Sequence, residues 1–275
     1  MKTILVATDF SPAALNAANY AAEMALAINA DLYLLHVYQL PVSYGDVPFA
    51  LSTVDMEQAA EKDMNEFKSH LLSKKGNGMK VRTEVRLGNF YPELETVCYL
   101  VKPYVVVIGS QGATAAERFF FGSNAVYTMK HLQWPLITVP QGIKFLAIKK
   151  IGLACDFDDV INTTPVDEIK MLVKDFNAQL HVLNTGKEGV FNPELVFESG
   201  VLREMFSELN PRLHFIANDD TDEGIIDFAE KNQIDLLVVL PKRHNFLEKF
   251  IHKSHSKQLV LHSHVPVMAL HSLGG

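Results

Sequence analysis

The sequence predicts two tandem α/β domains, each a parallel sheet flanked by helices, from three observations. Short apolar runs alternate with longer helix-forming stretches along the chain. The pattern at the amino terminus returns about halfway along. An apolar run, YVVVIG, passes into a glycine-bearing loop and then into SNAVYTMKHL, the order of a strand, a turn and a helix. Strands separated by helices read as parallel neighbours joined by right-handed crossovers.

Taken in order, Thr3–Thr8 is a strand. Ser11-Pro12 opens a helix through Ala30, with the serine hydroxyl as N-cap and proline where no N–H is needed. Asp31–Val37 is the next strand, and a loop with proline, glycine and tyrosine runs from Tyr38 to about Ala50. A helix from about Thr53 to Ser73 stops before Lys74-Lys75-Gly76-Asn77-Gly78, which sets cations at its negative end and glycine just beyond. The strand Met79–Leu87, the helix Pro92–Lys102, the strand Tyr104–Ile108, a helix from Ser123 and the strand Pro135–Pro140 complete the first copy.

The second copy is read by alignment. Ile4–Phe10 matches Ile151–Phe157, Ala30–Val37 matches Ala178–Thr185, Val105–Gly109 matches Leu237–Pro241, and Trp134–Val139 matches Val265–Leu270. Both ends and the middle repeat, which marks an internal duplication. The boundary is predicted near Gln141-Gly142, giving domains 1–142 and 143–275. The apolar terminal strands Pro135–Pro140 and Val265–Leu270 would be exposed edges alone, so they are expected to pair within the chain as a pseudo-dimer. A homodimer would then need another surface.

The glycine loop suits anion capture. Gly109 is followed by Gly112, and Gly122-Ser123 comes after nine intervening residues. Glycine lets backbone N–H groups approach a phosphate closely, and the following helix aims its positive end at the charge. Ser110, Ser123 and Asn124 can add hydroxyl and amide donors. Arg118 is within sequence reach of a phosphate, although Glu117 beside it also fits an ordinary surface pair. No Walker-type loop and no Gly-x-Gly-x-x-Gly opening follows the first strand, so P-loop phosphoryl transfer and dinucleotide redox chemistry lack sequence support.

The pattern Gly-x2-Gly-x9-Gly-Ser after an apolar strand, together with ILVATDFSPAA and LYLLHVY, resembles the ATP-binding branch of the universal stress proteins. That resemblance covers the whole chain as two copies, with the phosphate motif in the first alone. It implies Rossmann-like domains with five parallel strands each, and ATP or a related adenine nucleotide, with or without Mg, at the carboxyl ends of the strands. It assigns Asp9 to the adenine and ribose side, where the carboxylate would accept hydrogen bonds; capping through an Asp9–Ser11 turn is the alternative for that side chain. It gives Val37 backbone contacts to the adenine ring and makes Gly88 a lesser pocket residue. The chain departs from the family's Gly-Ser-x-Gly-basic pattern by having Ala113, which removes one phosphate cation.

In the second copy, Pro241-Lys242-Arg243-His244 stands where the first has Gly109-Ser110-Gln111-Gly112, and Ser254-His255 replaces Gly122-Ser123. Proline lacks an N–H and the glycines are gone, so the same cradle cannot form. Lys242–Lys257 holds five Lys/Arg against the single acid Glu248. That run reads as a solvated loop, as a small-anion site using Lys242, Arg243, Lys249, Lys253 and Ser254, or as a contact for an acidic partner. His252, His255, His262 and His264 lack cysteine or carboxylate company, which disfavours a metal site. Cys98 reads as core. Cys155, aligned with Thr8, is either a buried inert thiol or one at the mouth of the degenerate pocket.

The formal charge of −7 argues against nucleic-acid binding and an anionic membrane surface, no apolar run is long enough to span a bilayer, and two unpaired-looking cysteines fit a reducing compartment. The expectation is a cytoplasmic stress-response protein whose first domain binds an adenine nucleotide as a conformational or partner-binding signal. No catalytic triad or paired-carboxylate site is visible; a slow ATP hydrolase and a nucleotide-independent interaction module are the alternatives. The protein partner is not named by the sequence.

Overall fold

The computed structural model describes residues 1–40, 53–75, 79–110, 125, 127–129, 131–186, 193–218, 220–241 and 265–271. The first half contains β1 (Thr3–Ala7), α1 (Pro12–Ala27), β2 (Asp31–Tyr38), α2 (Thr53–Lys75), β3 (Val81–Leu87), α3 (Phe90–Val101), β4 (Val105–Gly109) and β5 (Leu136–Val139). The second contains β6 (Lys150–Ala154), α4 (Val160–Thr163), α5 (Val166–Phe176), β7 (Gln179–Gly186), α6 (Pro193–Met205), a short 3-10 turn (Ser207–Leu209), β8 (Arg212–Ala217), α7 (Thr221–Lys231), β9 (Leu236–Val239) and β10 (Val267–Ala269).

These strands form one sheet in the order β3-β2-β1-β4-β5-β10-β9-β6-β7-β8. Every pairing is parallel except β5 with β10, which is antiparallel with Leu136 opposite Ala269, Ile137 opposite Met268 and Thr138 opposite Val267. Ile137 and Met268 are the same position of the repeat, so a pseudo-twofold axis passes between them. Thr138 Oγ1 donates across the seam to the Val267 carbonyl at 3.3 Å. The expected pairing of the terminal strands is thus present.

Local chemistry explains the elements. Ser11 caps α1 with Oγ accepting from the Ala14 N–H at 3.0 Å, as its position before Pro12 predicted. Seven alanines of α1 are buried (Ala13, Ala14, Ala17, Ala18, Ala21, Ala22 and Ala25), and their small side chains let the helix lie close to the sheet. The helix stops at Ala27 rather than Ala30, because Asn29 turns to φ 52° and the Ala30 N–H bonds back to the Ala25 carbonyl. On α2, Ala60, Met64, Phe67 and Leu71 make the buried stripe of an amphipathic helix. Three other predicted boundaries move by two residues: α2 runs to Lys75, β3 begins at Val81 and α3 begins at Phe90; α3 ends one residue early, at Val101, where Lys102 adopts a left-handed conformation.

The core has one layer on each face of the sheet. Ile4, Val6, Leu32, Leu34, Val105 and Val107 face α1 and α2, and the same layer continues into Ile151, Leu153, Leu180 and Val182 of the second half. Leu5, Ala7, Leu35, Val106 and Ile108 face the opposite side with Leu94, Val97 and Cys98 of α3. Cys98 is fully buried, and burial pushes its thiol up to about 12. The outer strand β3 carries Arg82, Glu84 and Arg86 along its length, charges that deter further strand pairing.

The chain between the halves is held at several points. Asn16 Nδ2 donates to the Pro140 and Ile143 carbonyls at 3.1 and 3.0 Å. Phe145 packs edge-on against Tyr20 at 5.2 Å and lies 6.3 Å from Phe176 of α5. Tyr104 donates to Asp175 at 2.8 Å, Lys2 pairs with the same carboxylate, and His271 donates from Nε2 to the Met129 carbonyl at 2.9 Å.

In the second half His181 and His214 stack with ring centroids 5.1 Å apart, Nδ1 of the first lying 3.0 Å from Nε2 of the second. One ring donates and the other accepts, so at most one of the two can carry a positive charge. Burial first, then the neighbouring His214, holds His181 down at about 4, and burial also lowers His214.

The seam and the histidine pair each set an expected outcome. Ile137→Ala should lower stability by about 2–5 kcal/mol, the usual cost of truncating a buried aliphatic chain. It should do so in a single unfolding transition by circular dichroism, because both halves share the seam; two separated transitions would show them unfolding independently. The unfolded histidines take up protons near pH 6.5 while folded His181 resists to about 4, so stability should be full above pH 6.5 and fall between those values. His214→Leu should make that part of a melting-temperature profile shallower without removing it, because burial still holds His181 down.

Candidate functional site

In each half the strand order reverses direction at the first strand: β1 lies between β2, reached through α1, and β4, reached through α3 on the other face. Open α/β sheets form a crevice at such a point, beyond the carboxyl ends of the strands. In the first half it is bounded by Thr8–Ser11 after β1 and by Gly109-Ser110 at the end of β4.

The turn after β1 is held by its own side chains. The Phe10 N–H donates to Thr8 Oγ1 at 3.0 Å, the Ser11 N–H donates to Asp9 Oδ1 at 3.0 Å, and Phe10 takes φ 64°. Asp9 therefore makes the Asp9–Ser11 turn that was the alternative for its side chain. From β2, His36 Nδ1 lies 2.8 Å from the Thr8 carbonyl. A carbonyl only accepts, so Nδ1 carries the proton. The His36 ring packs 4.3 Å from Phe10, which meets Phe67 of α2 at 5.7 Å, and burial lowers the affinity of His36 for a second proton.

Gly109 is favoured by close approach. A Cβ there would lie 3.1 Å from the backbone C and O of Ala13, so any larger residue would push the first turn of α1 off the end of β4 by a few tenths of an ångström. The next residue, Ser110, donates its N–H to the Val139 carbonyl at 3.0 Å. Its side chain is 4% exposed, and its hydroxyl has no hydrogen-bond partner among the described residues. Extending the β1·β2 and β1·β4 registers beyond Ala7–Leu35 and Val6–Val107 sets Asp9 level with Val37 and Ser110. Asp9, Val37, Gly109 and Ser110 thus lie at the carboxyl ends of three neighbouring strands.

Gly88 lies farther out, at the end of edge strand β3. It has φ 154°, and the space a side chain would need is filled by Glu93, which pairs with Arg86 at 2.9 Å. Gly112, Gly122, Ser123 and Asn124 lie outside the described residues, as do Lys242, Arg243, Lys249, Lys253 and Ser254.

The second half repeats the turn with different residues. Phe157 takes φ 52° and donates its N–H to Cys155 Sγ at 3.4 Å, and the Asp158 N–H donates to Asp156 Oδ1 at 3.3 Å. Cys155 is buried, taking the place of the Thr8 hydroxyl rather than opening onto a pocket mouth. Asn184, aligned with His36, donates to the Cys155 carbonyl at 2.9 Å. Sequence reading missed this pair of side chains, though the alignment already set a δ-nitrogen donor at both positions.

Beyond the turn the two halves differ. Asp156, Asp158 and Asp159 are all exposed in the second, α4 has only 4 residues, and its Val160 N–H is taken by Glu198 at 3.0 Å. The first half instead has one carboxylate, Asp9, and a helix of 16 residues. The strand registers shift the sequence alignment of this segment by one residue: Leu240 stands at the position of Gly109, and Pro241, which the alignment set against Gly109, stands at that of Ser110. Among the described residues, no group of three or more histidines, cysteines or carboxylates could hold a metal, and no helix is long and apolar enough to cross a membrane.

Comparison with known proteins agrees with the duplicated architecture. The model of the universal stress protein family matches twice, at residues 1–140 and 147–271. The universal stress protein MJ0531 of Methanocaldococcus jannaschii is 26% identical over 138 residues, covering 50% of this chain and 81% of that protein. A universal stress protein from Archaeoglobus fulgidus superposes with a TM-score of 0.72 at 16% identity, covering 98% of this chain and 96% of the other. The functionally unknown protein PA1789 of Pseudomonas aeruginosa superposes with a TM-score of 0.61 at 15% identity, covering 99% and 93%. With both halves matched and the two-copy fold shared, this chain belongs to the universal stress protein family.

Proposed function

We propose that the first domain, residues 1–142, binds ATP or a related adenine nucleotide in the crevice between β1 and β4, and that the second, residues 143–275, does not. The bound nucleotide acts as a signal to a protein partner. The observation that carries this reading is the buried hydroxyl of Ser110 at the crevice, which has no partner among the described residues, lies level with Asp9 and comes one residue beyond the glycine that admits α1. A buried polar group without a partner costs about 1–3 kcal/mol, and a phosphate or ribose oxygen would satisfy it. The N-terminal end of α1 packed over Gly109 adds a field that favours an anion. The glycine and serine spacing from Gly109 through Gly112 to Gly122, Ser123 and Asn124 supports the same ligand.

Electrostatics argue against a second nucleotide. Three exposed carboxylates border the turn after β6, and Glu198 occupies the first amide of α4, so a polyphosphate would meet repulsion where the first half offers donors. Lys242, Arg243, Lys249, Lys253 and Ser254 are left to a small anion such as phosphate, held weakly and with strong salt dependence.

Calorimetric titration of the intact chain with ATP should give one site. At a free concentration of 100 times the dissociation constant, ATP should add about 2.7 kcal/mol of stability. A stoichiometry of two would overturn the assignment of the second half. Ser110→Ala should leave the unliganded protein as stable or slightly more so, since it removes an unsatisfied hydroxyl, yet weaken ATP about ten- to hundredfold, the loss of one hydrogen bond to a charged group. Unchanged affinity in that folded variant would remove Ser110 from the site.

A further inference from the structure

We propose that His36 is a positioning residue: its Nδ1–H clamps the Thr8 carbonyl and thereby sets the turn that presents Asp9 to the crevice. Asn184 is the same clamp in the second half, on the Cys155 carbonyl. The ligand-binding consequence rests on the proposed nucleotide site; the clamp itself does not.

Three features of the two turns carry the inference. First, the donors are chemically equivalent. Nδ1 of histidine and Nδ2 of asparagine are both bonded to Cγ, so each stands the same number of bonds from its own Cα, and the two distances are 2.8 and 2.9 Å. Second, the clamped carbonyls belong to equivalent residues, and both of these also receive the N–H of a phenylalanine with positive φ, Phe10 on Thr8 Oγ1 and Phe157 on Cys155 Sγ. A left-handed non-glycine residue is costly and persists only where its surroundings hold it. Third, the residues differ while the bond is kept. Thr8 has become Cys155 and His36 has become Asn184, so neither side-chain identity is shared and the geometry is what the two halves have in common.

The clamp reaches Asp9 through one peptide. Thr8 supplies the carbonyl that His36 holds, and the same peptide unit supplies the Asp9 N–H. Fixing its plane fixes the direction in which the Asp9 side chain leaves the backbone, while Asp9 Oδ1 in turn holds the Ser11 N–H and so the start of α1. The Phe10 ring against His36 closes the loop from the other side.

Native-state hydrogen exchange in the full chain, read residue by residue by NMR, tests the clamp without any ligand. In His36→Ala the Phe10 and Ser11 amides should exchange at least tenfold faster, while β1 amides such as Val6 stay within about threefold of wild type. His36→Asn should restore slow exchange, as Asn184 does in the other half, and so keeps the test open if the alanine variant fails to fold. Asn184→Ala should speed the Phe157 and Asp158 amides and leave Phe10 and Ser11 unchanged. Calorimetry with ATP on the same proteins should show at least a tenfold loss for His36→Ala, at most threefold for His36→Asn, and none for Asn184→Ala. Exchange at Phe10 and Ser11 that is unmoved in His36→Ala, or equally fast in His36→Asn and His36→Ala, would overturn the clamp. Absence of ATP binding in the wild type would overturn the nucleotide reading and leave the exchange result to stand by itself.

Discussion

Antiparallel pairing of β5 with β10 is the contact on which the rest of the molecule depends. Each half is a parallel sheet whose last strand is short, apolar and buried on both faces, and such a strand at an open edge would invite association with other chains. Joining the two at a pseudo-twofold axis turns two exposed edges into the middle of one sheet. It also lets each core layer run through from one half to the other. The outer edges that remain are β3, with alternating charges, and β8, with Arg212 and His214.

The duplication has kept the frame and changed the chemistry at its rim. Both halves retain the strand order, the turn after the first strand, the left-handed phenylalanine and the side-chain clamp. Beyond that turn they diverge: one long alanine-rich helix packed on glycine in the first, and in the second a short turn capped by an internal glutamate and followed by the separate helix α5. The glutamate at the Val160 N–H shows how a site for an outside anion can be closed by a carboxylate from the protein itself. At corresponding turns the same fold thus carries one carboxylate in the first half and three in the second.

Contacts between the halves cluster around α1 and the chain that leaves β5. Asn16 holds the Pro140 and Ile143 carbonyls, and aromatic rings continue from Tyr20 through Phe145 to Phe176. Since the first turn of α1 also lies over Gly109, one helix touches both the crevice and the connection to the second half.

The sequence by itself determined the element order, the duplication and the pairing of the terminal strands. Apolar periodicity, Ser11-Pro12 and the aligned segments are local signals, and local sterics and burial suffice to read them. It also marked Asp9, Val37, Gly109 and Ser110, because the carboxyl ends of strands converge at a reversal in strand order whatever the details. Tertiary structure alone decided what those residues do there. Gly109 answers to the backbone of Ala13, from the far end of the first half, and Gly88 to the side chain of Glu93; neither neighbour is implied by glycine spacing. The clamp between His36 and Thr8 was hidden for the same reason, since parallel strands joined by a helix meet only after the crossover has formed. The carboxylates after β6 were visible in the sequence, but only the folded chain brings Glu198, from a different helix, onto the Val160 amide. Short-range order is written in neighbouring residues, whereas the chemistry of a crevice is set by groups that folding brings together from distant parts of the chain.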